Sequence, residues 1–196
     1  YGVTFANAGT QTIDFQVSNG NVTFSHLNTT AQHFWGASST NYVGPSSGDA
    51  NTSATLNLTN MFHLPMRGNN LIVGRAAGKT GTLNIFNNGN WESWAGGNFT
   101  LGQSGTGNLN ISTSGTLQKS SLKSNNISLG TSGGIGNASV SGLNASMTAT
   151  NLLTVGEGTG SLGNLSISNQ GKVTVADSLF LGVISTLDNK VTVTGN

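Results

Sequence analysis

Six acidic residues would have to carry any acid–base chemistry in this chain: Asp14, Asp49, Glu92, Glu157, Asp177 and Asp188. Glycoside hydrolysis usually needs two carboxylates ~5 to ~9.5 Å apart. In the repeat frame described below, Glu157 falls one place after a strand-ending glycine, and Asp177 falls five places before the next. About six residues of strand, roughly 20 Å, plus one rung then separate them, so they are not a pair. A calcium-dependent polysaccharide lyase needs several acids on adjacent rungs, because Ca²⁺ takes 6–8 oxygen ligands. No neighbouring rungs carry such a cluster. The three histidines, His26, His33 and His63, lack regular metal-ligand spacing. His26, His33 and Asp49 share one segment and serine is abundant, but a triad is defined by geometry, and Gly48-Asp49 is followed by Ala50 rather than serine. The sequence therefore predicts no catalytic residue, no metal site and no cofactor. A polysaccharide lyase or hydrolase stands only as an alternative.

Composition narrows the remaining classes. Seven Lys+Arg against six Asp+Glu give a net charge of +1, which is no electrostatic footprint for a nucleic-acid partner. Charged residues are 7% of the chain, against roughly 25% in an ordinary soluble domain. Without cysteine there is no disulfide scaffold, thiol chemistry or Cys-based zinc site. No apolar run is long enough to span a membrane as a helix. No basic-then-apolar leader opens the chain, so any signal peptide is expected to have been removed or never included. Gly, Asn, Ser and Thr dominate and disfavour helix, yet apolar residues reach 35% in short regular runs, which argues against disorder.

Those runs repeat. A short apolar stretch ends in glycine at Leu71–Gly74, Phe99–Gly102, Ile127–Gly130, Leu153–Gly156 and Leu179–Gly182, with the glycines 28, 28, 26 and 26 residues apart. A second stretch follows each, with Leu83, Leu109, Ala138, Leu165 and Val191 as first apolar positions and a polar residue between each pair of apolar ones. A third, weaker stretch is read at Trp91–Trp94, Leu117–Lys119, Leu143–Met147 and Val173–Val175. Apolar–polar–apolar alternation is the period of a strand with one buried face. A unit of ~27 residues with three such strands cannot cover its own apolar face, whereas stacked units can. The predicted fold is all-β: a single-stranded parallel β-helix with three short strands per rung. About seven rungs at ~4.8 Å give a rod on the order of 35 Å long. Asn108, Asn137 and Asn164 occupy one column and are expected to form an amide ladder at a corner. The repeat is firm from about residue 54 onward. Residues 1–196 are read as one domain with an irregular N-terminal section and an inserted loop at about 26–51. The last rung shows no polar cap, so the chain is expected to continue into something longer or to associate end to end.

Units such as NNLIVGRAAGKTGTLNIFNNG, NFTLGQSGTGNLNISTSGTL and NLLTVGEGTGSLGNLSISNQGKVTV resemble the passenger-associated repeats of bacterial type V autotransporters. The match covers roughly residues 54–196. The absence of cysteine is typical of such passengers. The resemblance implies a right-handed β-helix, exported through the periplasm of a Gram-negative bacterium and moved across the outer membrane by a C-terminal β-barrel translocator. It also implies display on the cell surface or secretion, and a role as an adhesin, aggregation factor or virulence protein.

Binding residues are then sought among side chains that break the pattern. Trp91 stands where other rungs carry Leu117 and Val173, and is read as core. Trp94, three residues on, is an outward aromatic or a corner plug. Ile72 and Phe180 interrupt an outward column otherwise filled by Thr100, Ser128 and Thr154, so each is covered by a neighbour or exposed as a contact. His33, Phe34, Trp35 and Tyr42 form the densest aromatic group, read as a cap on the stack or a recognition surface. Arg67, Arg75 and Lys79, with Lys119 and Lys123, are either scattered solvated cations or a basic patch for acidic glycans. Recurrent Asn-x-Ser/Thr triplets at Asn57, Asn98, Asn110, Asn126, Asn137 and Asn164 are read as by-products of Asn/Ser/Thr-rich strands rather than glycan sites. The expected partners are a host cell-surface protein or glycan, or a second copy of the rod. A released ligand or toxin engaging one host receptor is the main alternative.

Overall fold

The computed structural model describes residues 16–25, 40–59, 66–93 and 96–195. Two strands open it, β1 (Gln16–Val17) and β2 (Gly20–Ser25). Three-strand turns follow: β3 (Thr40–Val43), β4 (Ser53–Thr59) and β5 (Met66–Gly68), then β6 (Asn70–Val73), β7 (Thr80–Phe86) and β8 (Asn90–Ser93). The next are β9 (Phe99–Leu101), β10 (Thr106–Ser112) and β11 (Ser120–Ser124), then β12 (Ile127–Thr131), β13 (Ile135–Ser141) and β14 (Ala145–Ala149). The last complete turn is β15 (Leu152–Glu157), β16 (Leu162–Ser168) and β17 (Lys172–Val175), followed by β18 (Ser178–Val183) and β19 (Lys190–Val193). The strands form three parallel sheets of seven, seven and five strands. The chain is thus an all-β parallel β-solenoid of about five complete turns rather than seven, because the third sheet has no strand in the first and last coils among the described residues.

Register is the organising fact. Leu56, Leu83, Leu109, Ala138, Leu165 and Val191 are successive partners in the second sheet. Leu58, Ile85, Ile111, Val140 and Ile167 form the parallel column. The first sheet adds Leu71, Phe99, Ile127 and Leu153, with Val73, Leu101, Leu129 and Val155 beside them. The third sheet supplies Trp91, Leu122, Met147 and Val173. These side chains form one cluster, and burying each fully covered Leu, Ile or Val contributes about 1.5–3 kcal/mol. Trp91 is fully buried, as expected.

The passage from first to second sheet depends on glycine. Gly102 turns with φ +72, and a Cβ on Gly107 would run into the backbone of Gly102 and Val73. The same pair of positions recurs as Gly74/Gly81, Gly130/Gly136 and Gly156/Gly163. Only residues without a side chain let the corner close this tightly.

The third sheet corrects the sequence reading. The expected strand at Leu117–Lys119 lies instead at Ser120–Ser124, and Leu122, not Leu117, stacks on Trp91. Leu117 is 93% exposed on the loop before the strand. The strand SSLKS has a single apolar residue, and buried Ser120 and Ser124 take the flanking inward positions. Likewise the strand expected from Leu143 starts at Ala145, leaving Leu143 in the turn. Within the stretch expected as an inserted loop at about 26–51, Thr40–Val43 is a regular strand, paired with β6 in register. Residues 26–39 lie outside the described residues.

Leu109→Ala removes a buried side chain at the centre of the second sheet and is expected to cost about 2–5 kcal/mol in urea unfolding. Gly107→Ala adds one methyl group, yet is expected to destabilise at least as much, because the methyl group meets backbone that cannot move aside. Unchanged unfolding midpoints would contradict this packing.

Candidate functional site

Most outward positions carry Asn, Ser or Thr, and these side chains bond along their columns. Asn137 Nδ2 donates to Asn108 Oδ1 at 3.1 Å, and Asn164 Nδ2 to Asn137 Oδ1 at 2.9 Å. The expected ladder therefore exists, but on the half-buried outer face of the second sheet, not at a corner. Two more ladders escaped the sequence reading. One runs through Asn57, Asn84 and Asn110; the other, before the first sheet, links Asn98, Asn126 and Asn151. The Asn-x-Ser/Thr asparagines named above, Asn57, Asn98, Asn110, Asn126, Asn137 and Asn164, are all ladder members. The triplet arises because an outward Asn, within a strand or just before it, is followed by an inward apolar residue and an outward Ser or Thr.

Against this background one corner stands out. Tyr42 occupies the outward column of the first sheet, one rung before Ile72, Thr100, Ser128, Thr154 and Phe180. Arg75 follows Gly74, whose φ of +78 turns the chain out of β6. Its guanidinium carbon lies over the Tyr42 ring, 4.3 Å from the centroid. Such a contact is worth ~0.5–1 kcal/mol at an exposed site and fixes the plane of the guanidinium. Arg75 Nε is buried and has no hydrogen-bond partner.

Lys79 performs a different task. Its Nζ donates to the Asp49 and Asn51 carbonyl oxygens at 2.7 and 2.8 Å, tying the loop after β3 to the rung above. Within that loop the Asp49 carboxylate accepts from the Ser46 N–H at 2.6 Å and from the Ser46 hydroxyl at 2.9 Å. These two bonds, the backbone one first, hold its carboxyl below the usual carboxylate range, with a smaller contribution from the charges of Arg75 and Lys79. A groove of about 450 Å³ opens between Tyr42, Ser46, Arg75, Gln103 and Ser104. It presents one oriented guanidinium among hydroxyls and an amide. That chemistry suits a carboxylate, a sulfate or a carbonyl-rich surface.

The basic residues read from the sequence do not form one patch. Arg75 and Lys79 share this corner, whereas Arg67 lies in β5 and Lys123 in β11, both in the third sheet. Lys119 leads into that same sheet. A rung of ~27 residues carries positions 67 and 75 to different sides of the coil, which their closeness in sequence conceals. Lys123 pairs with Glu92 at 3.2 Å. Phe180, 48% exposed, shares the Tyr42 column but stands five strands, about 24 Å, away. Ile72 is half-buried. His26, His33, Phe34, Trp35, His63 and Trp94 lie outside the described residues. Glu157 ends β15 in register with Val183, six places beyond Asp177, so the two acids stand at opposite ends of paired strands. No family model matches the chain, and no curated protein or solved structure matches it either.

Gln103 and Ser104 were missed as groove residues, although Gln103 follows Gly102 as Arg75 follows Gly74. Ser46 and Asp49 left only the turn-rich stretch as a signal.

Because folding favours ionised Asp49, its hold on Ser46 is complete at neutral pH and is lost as pH falls below the ordinary carboxylate range. The Ser46 amide resonance is expected to titrate with a midpoint below that of a free aspartate. Asp49→Asn should abolish the titration, and a midpoint at or above the free value would contradict the bonds described.

Proposed function

We propose that this chain is a passenger segment of a bacterial type V autotransporter that works by binding, not by catalysis. On this reading it is a right-handed coil, as parallel crossover connections nearly always are. It is exported through the periplasm of a Gram-negative cell with the help of a C-terminal β-barrel translocator, and is displayed or released at the surface. There it acts in the manner of an adhesin, engaging a host cell-surface protein or glycan. The repeat units quoted above and the all-β parallel solenoid support the reading.

The observation that carries the binding function is the Tyr42–Arg75 pair. A guanidinium whose orientation is fixed by an aromatic ring, at a corner braced by Lys79, is preorganised for an acidic group on a partner. A long parallel solenoid loses little conformational entropy when one corner engages, since its backbone is already bonded from rung to rung.

Arg75→Gln and Tyr42→Ala test this. Each is expected to lower binding of the purified protein to cultured epithelial cells at least tenfold while circular dichroism stays unchanged. Full cell binding by both variants would remove this face from the function. Release of soluble products from plant or host polysaccharides by the wild-type chain would overturn the non-catalytic reading.

A further inference from the structure

The loop at 113–119, between β10 and β11, is the longest departure from the repeat among the described corners of the second and third sheets. Its counterparts span 87–89, 142–144 and 169–171. The loop is braced from both neighbouring rungs. From one side Asn88 Oδ1 accepts from the Lys119 N–H at 2.8 Å. From the other, Asn144 Nδ2 donates to the Thr116 carbonyl oxygen at 2.6 Å. Ser114 Oγ donates to Gln118 Oε1 within it. A loop tied at both flanks holds its outer surface in place, and that surface carries Leu117.

The braced loop forms one wall of a groove of about 760 Å³ that runs along the third sheet. Two cations stand in it, Lys119 and Lys172, two rungs apart and so about 10 Å apart along the axis. Among the described residues no carboxylate lines it, and Glu92 of β8 is engaged by Lys123. Between the cations lie the outward polar groups of Ser121 and Ser146, which are partners of one another in the β11–β14 pair. Leu117 and Leu143, the latter 51% exposed, supply an apolar edge.

We propose that this groove binds an anionic polysaccharide lying along the solenoid axis. Lys119 and Lys172 take successive carboxylate or sulfate groups, the serines and the Gln118 amide bond hydroxyls, and the two leucines cover the C–H face of a sugar ring. The cations are set at a multiple of the strand spacing, which fits a linear polymer whose charges recur along its length. The site is separate from the Tyr42–Arg75 corner, which lies on another side of the coil, so either can fail without the other.

Titration calorimetry with a heparin hexasaccharide (sulfate and carboxylate), an oligogalacturonate (carboxylate only) and neutral maltohexaose tests the proposal. Saturable binding is expected with one or both anionic probes and not with maltohexaose, weakening as salt is raised. Lys119→Gln with Lys172→Gln should weaken it tenfold or more, Asn144→Ala should weaken it by unbracing the loop, and Arg75→Gln should leave it unchanged. Circular dichroism of each variant controls for folding. Binding that survives the double lysine substitution, or absence of binding to both anionic probes, overturns the proposal. Equal binding of poly-glutamate would assign the groove to acidic peptides and overturn it as well.

Discussion

The strands of this molecule are subject to one constraint: each strand residue lies about 4.8 Å from its counterpart on the next rung, in register along the paired strands. The constraint acts on every side chain at once. An inward leucine must fit the leucine above and below it. An outward charge would face its own kind, so most outward columns hold Asn, Ser and Thr, which can donate to one neighbour and accept from the other. The scarcity of charge, 7% of the chain, follows from this geometry. So does the need for paired glycines at the first corner, since bulk there would be repeated at every turn.

A fold so uniform confines function to places where uniformity fails. The Tyr42–Arg75 corner is one. The residues after the corner glycine form a column running from Arg75 through Gln103, Thr131 and Glu157, and its character changes from basic to acidic along the rod. The 113–119 loop is another. There the chain departs from the repeat, and neighbouring asparagines spend side-chain hydrogen bonds on holding the departure still. The ladders have the opposite effect. Each bonded amide turns a donor and an acceptor along the column, leaving fewer of them to face a second rod.

The sequence was most informative where the constraint is strictest. The second-sheet column from Leu83 to Val191 was legible because alternation over seven residues and a period of ~27 coincide. The outward column from Ile72 to Phe180 was legible for the same reason. The third sheet was not. Its strands are short, its inward residues range from tryptophan to serine, and the corner before it varies in length. A pattern reader therefore assigns Leu117 to the core, although Leu122 holds that place, flanked by buried Ser120 and Ser124. For Arg67, Arg75 and Lys79 the sequence left scattered cations and a patch both open, since nearness in sequence does not place residues on the same side of a coil. The bracing of Asp49 on Ser46 and of Lys79 on two carbonyls depends on loop geometry that no periodicity encodes.

The most direct test of the account is a set of through-space NMR contacts among the methyl groups of Leu83, Leu109, Ala138, Leu165 and Val191 in selectively labelled protein. The account requires strong contacts between consecutive members only: 83 with 109, 109 with 138, 138 with 165, and 165 with 191. Contacts that skip a member, or that join Leu109 to residues outside its column while missing Leu83 and Ala138, would show that the coils do not stack as described.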